Sequence, residues 1–251
     1  MDTQASTRAP KTPQQVAAIE EVQRATESAV AKVVAYLRSS AAPTSEEAHA
    51  IIEAELTRLG CESPEGHIIA GGTQSASPHA MGAGALKRGE PIVMDIYPRS
   101  KKTGYFADMS RTLCLGTPSA ELQKMYDTVL GAQEMAIKML RPGAACKEIQ
   151  TAVENYFIER GYVTSGVGDP KDGFPYAEGF VHGVGHGVGL AVHEAPRIGR
   201  KSTDILAEGD VVTVEPGLYY KHIGGVRIED MFLVTKDGSR SLTHFGKEFV
   251  L

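Results

Sequence analysis

The sequence predicts an α+β domain with a largely antiparallel sheet. Stretches with helical spacing come in pairs, strand-like runs form hairpins, and the strict β-α-β alternation of a parallel sheet is absent. The 251 residues are 42% hydrophobic and 23% charged, which is typical of globular proteins that bury a sizeable core.

The first half of the chain predicts two helices followed by three strands. Apolar residues keep mostly helical spacing over residues 13–37. A second helix is expected between a capping box, formed by Thr44 and Glu47, and the turn residue Gly60. The turn-like run P-R-S-K-K-T-G joins two of the strands into a hairpin. The strands are expected at residues 67–70, 91–97 and 105–115.

The second half repeats this order of helices and strands. Helices are expected from about residue 118 to 140, where Pro142 follows, and from about 147 to 160, ending at Gly161. Residues 164–179 are polar and rich in glycine and proline, so a loop is expected there. Three strand-like runs follow, at residues 180–192, 210–219 and 225–235.

Charge and cysteine content narrow the class of protein. The net charge of −5 argues against nucleic acid or an anionic membrane as the main partner. Three widely spaced cysteines, Cys61, Cys114 and Cys146, make neither a zinc-finger spacing nor a disulfide framework, which favours a reducing cytosol. No apolar run could span a bilayer, and the polar N-terminus has no secretory signal. We therefore expect a cytoplasmic protein without a membrane partner.

The most informative run is F-V-H-G-V-G-H-G-V-G-L-A-V-H-E, at residues 180–194. It holds three of the eight histidines, His182, His186 and His193. Glycines at 183, 185, 187 and 189 indicate a backbone that approaches another part of the molecule closely. Histidines on such a backbone are suited to metal ligation or proton transfer.

Four carboxylates stand at positions where a buried strand would favour apolar residues. They are Asp95, Asp108, Glu215 and Glu229. Each alone could lie on the solvated face of an edge strand, but a buried carboxylate needs a cation or a strong hydrogen-bond donor. Oxygen ligands with one imidazole suit Mn²⁺, Co²⁺, Fe²⁺ or Zn²⁺. About four negative charges are neutralised by two divalent ions, which at a separation of about 3.5–4 Å form a hydrolytic arrangement.

These residues lie in motifs that resemble a known family. The motifs read G-Y-F-A-D-M-S-R-T, H-G-V-G-H-G-V-G-L-A-V-H-E-A-P, V-E-P-G-L-Y and G-V-R-I-E-D. Over residues 13–251 the chain resembles the catalytic domain of the pita-bread metallopeptidases, which include methionine aminopeptidases, Xaa-Pro aminopeptidases and Xaa-Pro dipeptidases (prolidases). The resemblance implies the pita-bread (creatinase/aminopeptidase) fold: a curved, mainly antiparallel sheet with outer helices and halves related by an approximate two-fold. The halves are expected at about 13–161 and 162–251, and residues 1–12 are expected to be a linker or disordered.

The resemblance also implies the site. By this resemblance, five residues are expected to bind two divalent metal ions. Mn²⁺ is the first choice of metal, and Co²⁺, Zn²⁺ or Fe²⁺ are the alternatives. Glu215 would shuttle a proton, and His193 and His79 would act on the substrate. His182 and Arg227 match substrate-binding positions of proline-directed members, and Arg227 could also hold a ligand carboxylate ionised. The five ligands are Asp95, Asp108, His186, Glu215 and Glu229.

The motifs favour the proline-directed branch. Methionine aminopeptidases usually lack the first histidine of H-G-V-G-H-G and have methionine after E-P. The resemblance therefore implies an exopeptidase that hydrolyses Xaa-Pro bonds in peptides or dipeptides, with a homodimer as the expected assembly. Methionine aminopeptidase and a peptide-binding module without turnover remain the alternatives.

The chain departs from the family pattern in two ways. The separation of Asp95 from Asp108 is two residues longer than usual, an even number that preserves the pairing face. The N-terminal domain of most proline-directed members is absent, so we expect a truncated protein or a single-domain variant. In addition, His186 and His193 are an odd number of residues apart, so both reach one cavity only if the strand is distorted between them.

Overall fold

The structure is a computed structural model that describes residues 10–164 and 178–251. The helices are α1 (Pro13–Ser39), α2 (Ser45–Arg58), α3 (Ala120–Ile137) and α4 (Cys146–Ile158), with a short 3₁₀ helix at Gly72–Ala76. The strands are β1 (Cys61–Glu62), β2 (Ile68–Gly71), β3 (Pro91–Ile96), β4 (Arg99–Ser100), β5 (Met109–Cys114), β6 (Gly185–Gly187), β7 (Glu194–Ile198), β8 (Val211–Val214), β9 (Gly217–Tyr220), β10 (Gly224–Arg227), β11 (Asp230–Thr235) and β12 (Gly238–Ser241). Within these ranges no helix is long and apolar enough to cross a membrane.

The named strands pair antiparallel throughout, which confirms the predicted sheet type. The larger sheets have the orders β2-β3-β5 and β12-β11-β8-β6-β7, and β1 pairs with β4 and β9 with β10. Helices α1 and α2 bury their apolar faces with the first of these sheets, and α3 and α4 with the second. The first hydrophobic cluster also contains residues from the last third of the chain, such as Val188, Val211 and Met231. A division at residue 161 is wrong, because α3 and α4 pack with the later strands.

The predicted helices are present, and their ends follow from local sequence. Thr12 and Gln15 form a capping box at the start of α1, where Pro13 stands in the first turn. At α2 only half of the predicted box forms, since Thr44 accepts from the backbone of Glu47 at 3.3 Å. The backbone N–H of Thr44 donates to the hydroxyl of Tyr36 instead. Gly60 has a φ of +75°, as expected for the residue that ends α2.

The hairpin predicted over residues 91–115 is confirmed, with β3 paired to β5 over its whole length. The longer turn forms a second, smaller pairing, since β4 lies against β1 and Arg99 bridges to Phe106. Lys101 and Lys102 are exposed at its tip. The two additional residues are therefore accommodated away from the β3–β5 ladder.

The strands predicted in the last third of the chain are wrong in extent. Within 180–192 only Gly185–Gly187 is a strand, and β7 was not predicted. The run 210–219 divides at Pro216 into β8 and β9, which belong to different sheets, because proline has no N–H to donate. The run 225–235 also divides into two strands of different sheets, β10 and β11, with residues 228–229 between them. The predicted loop at 164–179 lies mostly outside the described residues.

These divisions correct the placement of the carboxylates. Only Asp95 lies inside a strand. Asp108 immediately precedes β5, Glu215 separates β8 from β9, and Glu229 separates β10 from β11. Each of these three acids therefore lies at an end of a strand, where its side chain is not confined to one face of a continuous ladder.

The four glycines of the histidine-rich run are required by close backbone approach, as predicted. A Cβ at Gly185 would lie 2.1 Å from the carbonyl oxygen of Thr213, and one at Gly187 would lie 2.3 Å from that of Ala195. Cβ atoms at the other two would also lie within 3.0 Å of neighbouring oxygens. Any side chain would push β6 away from its neighbours.

Gly185→Ala should lower the free energy of unfolding by about 1–3 kcal/mol, because the added methyl overlaps a backbone oxygen that cannot move alone. Urea unfolding measures this. The control is Gly238→Ala, where a Cβ meets nothing within 4 Å and the effect should stay within about 0.5 kcal/mol. Equal stability of the two variants would contradict the close approach.

Candidate metal centre and active site

One cavity of about 440 Å³ contains every site residue predicted from the sequence. Its walls come from both halves of the fold, and Glu65, Tyr97 and Arg197 are also among the lining residues. The predicted residues that line it are His79, Asp95, Asp108, His182, His186, His193, Glu215, Arg227 and Glu229.

The predicted ligands lie close together at the base of this cavity. Asp108, His186 and Glu229 each offer an atom within 4.8 Å of the others, and all three are buried. The Nε2 atom of His186 lies 3.7 Å from Oδ2 of Asp108 and 3.3 Å from Oε1 of Glu215. This spacing is suitable for a shared cation.

Unpaired carboxylate oxygens show that the cluster fits metal ions. Oδ1 of Asp95, Oδ1 of Asp108 and Oε1 of Glu229 are buried and have no hydrogen-bond partner. Buried polar atoms are normally satisfied, so three orphaned anionic oxygens in one cavity need a cation. Oxygen atoms with one imidazole form a donor set for borderline divalent ions.

The pKa values of these acids follow from their crowding. Burial, followed by the charges of Glu229 and Asp95, raises the pKa of Asp108 well above its ordinary value. Burial and the charges of Glu215 and Asp95 likewise raise the pKa of Glu229. For Glu215, burial raises the pKa, but the hydrogen bond and charge of His186, with the charges of His182 and Arg227, together lower it to about 2. Glu215 is therefore ionised near neutral pH, whereas Asp108 and Glu229 bind protons more readily than free carboxyls do.

Arg227 connects two of the carboxylates. Its Nη2 donates to Oδ2 of Asp95 at 2.7 Å, and its Nε donates to the hydroxyl of Ser110 at 2.9 Å. Ser110 in turn donates to Oε2 of Glu229 at 2.9 Å. These bonds occupy one oxygen of each acid, so that the orphaned oxygen of each carboxylate remains available.

The hydroxyl of Tyr219 links His182 to Arg227. Nη1 of Arg227 donates to the Tyr219 hydroxyl at 2.8 Å, and that hydroxyl lies 2.8 Å from Nε2 of His182. Nδ1 of His182 lies 2.8 Å from the carbonyl oxygen of Gly183, which can only accept. His182 therefore carries its proton on Nδ1 and accepts from Tyr219 at Nε2. Neither ring nitrogen is left for substrate, which favours a supporting role for His182.

Arg111 holds the segment that carries Glu229. The guanidinium is 1% exposed and pairs with Asp230 at 2.7 Å. It also donates to the backbone carbonyls of Glu229 and Ser110, at 2.7 and 2.8 Å. Lys247 lies 2.8 Å from the other oxygen of Asp230. This buried ion pair ties β5 to the start of β11.

The predicted distortion between His186 and His193 is confirmed. The pairing of β6 with β7 shifts register between His186 and Gly187. The two imidazole rings consequently approach to 4.3 Å between centroids. Partial burial, together with His186, lowers the pKa of His193 to about 4, so that the ring is neutral at pH 7.

Comparison with known proteins places this arrangement in a family. A model described as metallopeptidase family M24 matches residues 17–236. A Xaa-Pro dipeptidase of Pyrococcus horikoshii is 37% identical over 206 residues, which are 81% of this chain and 54% of the dipeptidase. The chain belongs to metallopeptidase family M24. It spans about half the length of the curated relatives it matches.

Solved structures confirm the predicted fold. A prolidase from Pyrococcus horikoshii has a TM-score of 0.85 at 34% identity, covering 97% of this chain and 66% of the prolidase. An X-Pro aminopeptidase from Thermotoga maritima has a TM-score of 0.84 at 30% identity, covering 98% and 66%. The M24 chain therefore has the pita-bread fold, while the two-fold between its halves stays a prediction.

Several residues that support the site were not predicted from sequence. Ser110 and Arg111 follow Asp108 in D-M-S-R-T, Asp230 follows Glu229, and Tyr219 ends E-P-G-L-Y. The one sequence feature that could have indicated their role was their position close to predicted ligands. Their partners are distant in sequence, and no spacing rule reveals such contacts.

The raised pKa values predict how pH affects stability. Folded metal-free protein keeps protons on Asp108 and Glu229 that the unfolded chain releases near pH 4. Their stabilising contribution is therefore complete below that pH and is lost as pH rises toward the raised values. Metal binding replaces these protons. We expect the difference in Tm between metal-loaded and metal-free protein to widen as the pH rises above about 4.

Scanning fluorimetry across this pH range tests the expectation. The control is metal-free protein carrying Asp108→Asn and Glu229→Gln, which should lose much of the decline in Tm with rising pH. Identical pH profiles for metal-free wild type and this variant would show that the two carboxyls are not the cause.

Proposed function

We propose that this chain is the catalytic domain of a dinuclear-metal exopeptidase that hydrolyses the bond between an N-terminal residue and proline. The observation that carries the proposal is the set of three orphaned carboxylate oxygens in a cavity that also contains His186 and Glu215. Xaa-Pro dipeptidases and an X-Pro aminopeptidase among the relatives support the substrate class.

The metal ions would be held by Asp95, Asp108, His186, Glu215 and Glu229, with Mn²⁺ as our first choice. When bound, two such ions activate water and polarise the scissile carbonyl. Arg227 and Ser110 would orient the carboxylates, because each donates to an oxygen that then cannot rotate away.

Two side chains are suited to the proton and charge movements of hydrolysis. Glu215 is ionised, so its carboxylate can accept a proton from the attacking water and pass it to the proline nitrogen. His193 is neutral at pH 7, so its ring N–H can donate to the oxygen on which negative charge develops. His79 lines the same cavity and is proposed to contact the substrate.

Arg197 would contact the carboxylate end of a short substrate. It is exposed, lines the cavity and lies on β7 beyond His193. An exposed ion pair contributes up to about 1 kcal/mol, so a free carboxylate in reach of this guanidinium would favour dipeptides by about fivefold at most.

The central test is activity on a peptide panel after loading with Mn²⁺, Co²⁺ or Zn²⁺. We expect hydrolysis of Xaa-Pro peptides and none of Met-Ala-Ser. Asp108→Ala should lose both metal and activity. Cleavage of Met-Ala-Ser alone would indicate a methionine aminopeptidase, and the absence of both turnover and two tightly bound ions would indicate a peptide-binding module.

His193→Ala should retain the metal ions and lower kcat/KM by roughly 10²–10³, as expected for one lost oxyanion donor. Elemental analysis and steady-state kinetics on the same preparation measure both quantities. Loss of metal in this variant would make His193 a ligand or a structural support and would exclude its role as an oxyanion donor.

Arg197→Gln should raise KM for a Xaa-Pro dipeptide by up to about fivefold and leave KM for the corresponding Xaa-Pro amide unchanged. Lys201→Gln is the control, because this exposed cation does not line the cavity. Equal changes for the dipeptide and the amide would refute recognition of the carboxylate.

A further inference from the structure

The segment before α1 forms a buried ion pair next to the catalytic histidine. Nζ of Lys11 donates to Oε1 of Glu194 at 2.6 Å, and the two side chains are only 10% and 12% exposed. The backbone N–H of Lys11 donates to the carbonyl oxygen of Gly209 at 2.8 Å. Thr12, the next residue, caps α1. The start of α1 is thereby connected to the strand that follows His193.

Glu194 occupies a special place in this strand. Its backbone pairs with Gly187, on the far side of the register shift that brings His193 to the cavity. Its carboxylate lies over Gly189, where an added Cβ would come within 2.3 Å of Oε2. The side chain of Glu194 therefore packs against the loop at residues 188–193, which ends in His193.

The rest of this loop is held by few bonds. The N–H of Val188 donates to Val211 at 3.0 Å, and the carbonyl of Gly189 accepts from Phe106 at 2.8 Å. Both bonds lie at its first residues. Near its other end Val192 is buried in the first hydrophobic cluster, the carbonyl of His193 accepts from Arg197 at 3.5 Å, and Glu194 follows directly. A buried carboxylate without a counter-charge costs several kcal/mol. Within the described part of the chain, Lys11 is the cation that forms an ion pair with Glu194.

We propose that Lys11 is a positioning residue that acts through Glu194 to hold His193 against the active-site cavity. This inference rests on the proposed function only for the part that concerns turnover. Loss of the pair would let residues 190–193 move, so the oxyanion donor would be misplaced while the metal ligands stay in position. The expected kinetic effect is on kcat, with KM and metal content nearly unchanged.

A double-mutant cycle tests whether the Lys11–Glu194 ion pair acts through His193. The variant Lys11→Met with Glu194→Gln removes both charges together, which is tolerated better than leaving one buried charge alone. In the wild-type background it should lower kcat about tenfold, whereas in a His193→Ala background it should have less than about a twofold effect. Equal losses in both backgrounds, or no loss in either, would overturn the proposal.

The control variant removes an ion pair that α1 itself forms with a distant strand. Glu20 on α1 pairs with Arg240 at 2.6 Å, and neither residue lines the cavity. Glu20→Gln with Arg240→Met should leave kcat unchanged. Lys11→Arg should retain most of the wild-type kcat, because it keeps the positive charge.

Hydrogen exchange tests the positioning independently of turnover. Amides of residues 188–193 should exchange faster in the Lys11→Met/Glu194→Gln variant than in wild type or the α1 control, with the metal centre loaded in all three. Unchanged exchange would overturn the positioning role. Faster exchange in a protein without Xaa-Pro activity would keep the positioning and reject the proposed function alone.

Discussion

The repulsion among four carboxylates in one cavity is the constraint on which the site depends. Burial and mutual charge raise the pKa values of Asp108 and Glu229, and one oxygen of each has no partner. Such a cluster is stable only if cations or bound protons offset its charge. Arg227 supplies one positive charge from the protein, and we propose that two metal ions supply the others.

Interruptions of the strands bring these carboxylates together. Asp108 precedes β5, while Glu215 and Glu229 lie where the chain leaves one sheet for another. A junction frees the side chain from the alternation of a ladder, but its backbone then needs other partners. Arg111 and Thr112 provide them from β5: Arg111 bonds the carbonyl of Glu229 at 2.7 Å, and Thr112 bonds both backbone groups of Arg227 at 2.9 Å.

Much of the fold followed from local sequence. The helices could be located because capping residues and apolar spacing act within a few residues, as at Thr44 and Gly60. The strand divisions at Pro216 and before β11 were missed because alternation continues through them, although the partner strand changes. The alternation of apolar residues indicates which side chains are buried, but it does not indicate to which sheet a residue belongs.

The sequence predicted which residues form the candidate site, but it did not predict the contacts that orient them. Acids in apolar runs and histidines among glycines were visible because each contradicts the surrounding pattern. The residues that orient them could not be recognised. Tyr219 has no feature that distinguishes it from other aromatic residues, and Lys11 lies 183 positions from its partner Glu194. Contacts of that separation depend on tertiary structure alone.

Anomalous diffraction from crystals loaded with Mn²⁺ is the most direct test of the metal centre. We expect two peaks about 3.5–4 Å apart, one within bonding distance of His186 and both in contact with Asp108 and Glu229. A single peak, or two peaks outside the cavity, would contradict a dinuclear centre. The negative charge of the cluster would then have to be balanced by protons.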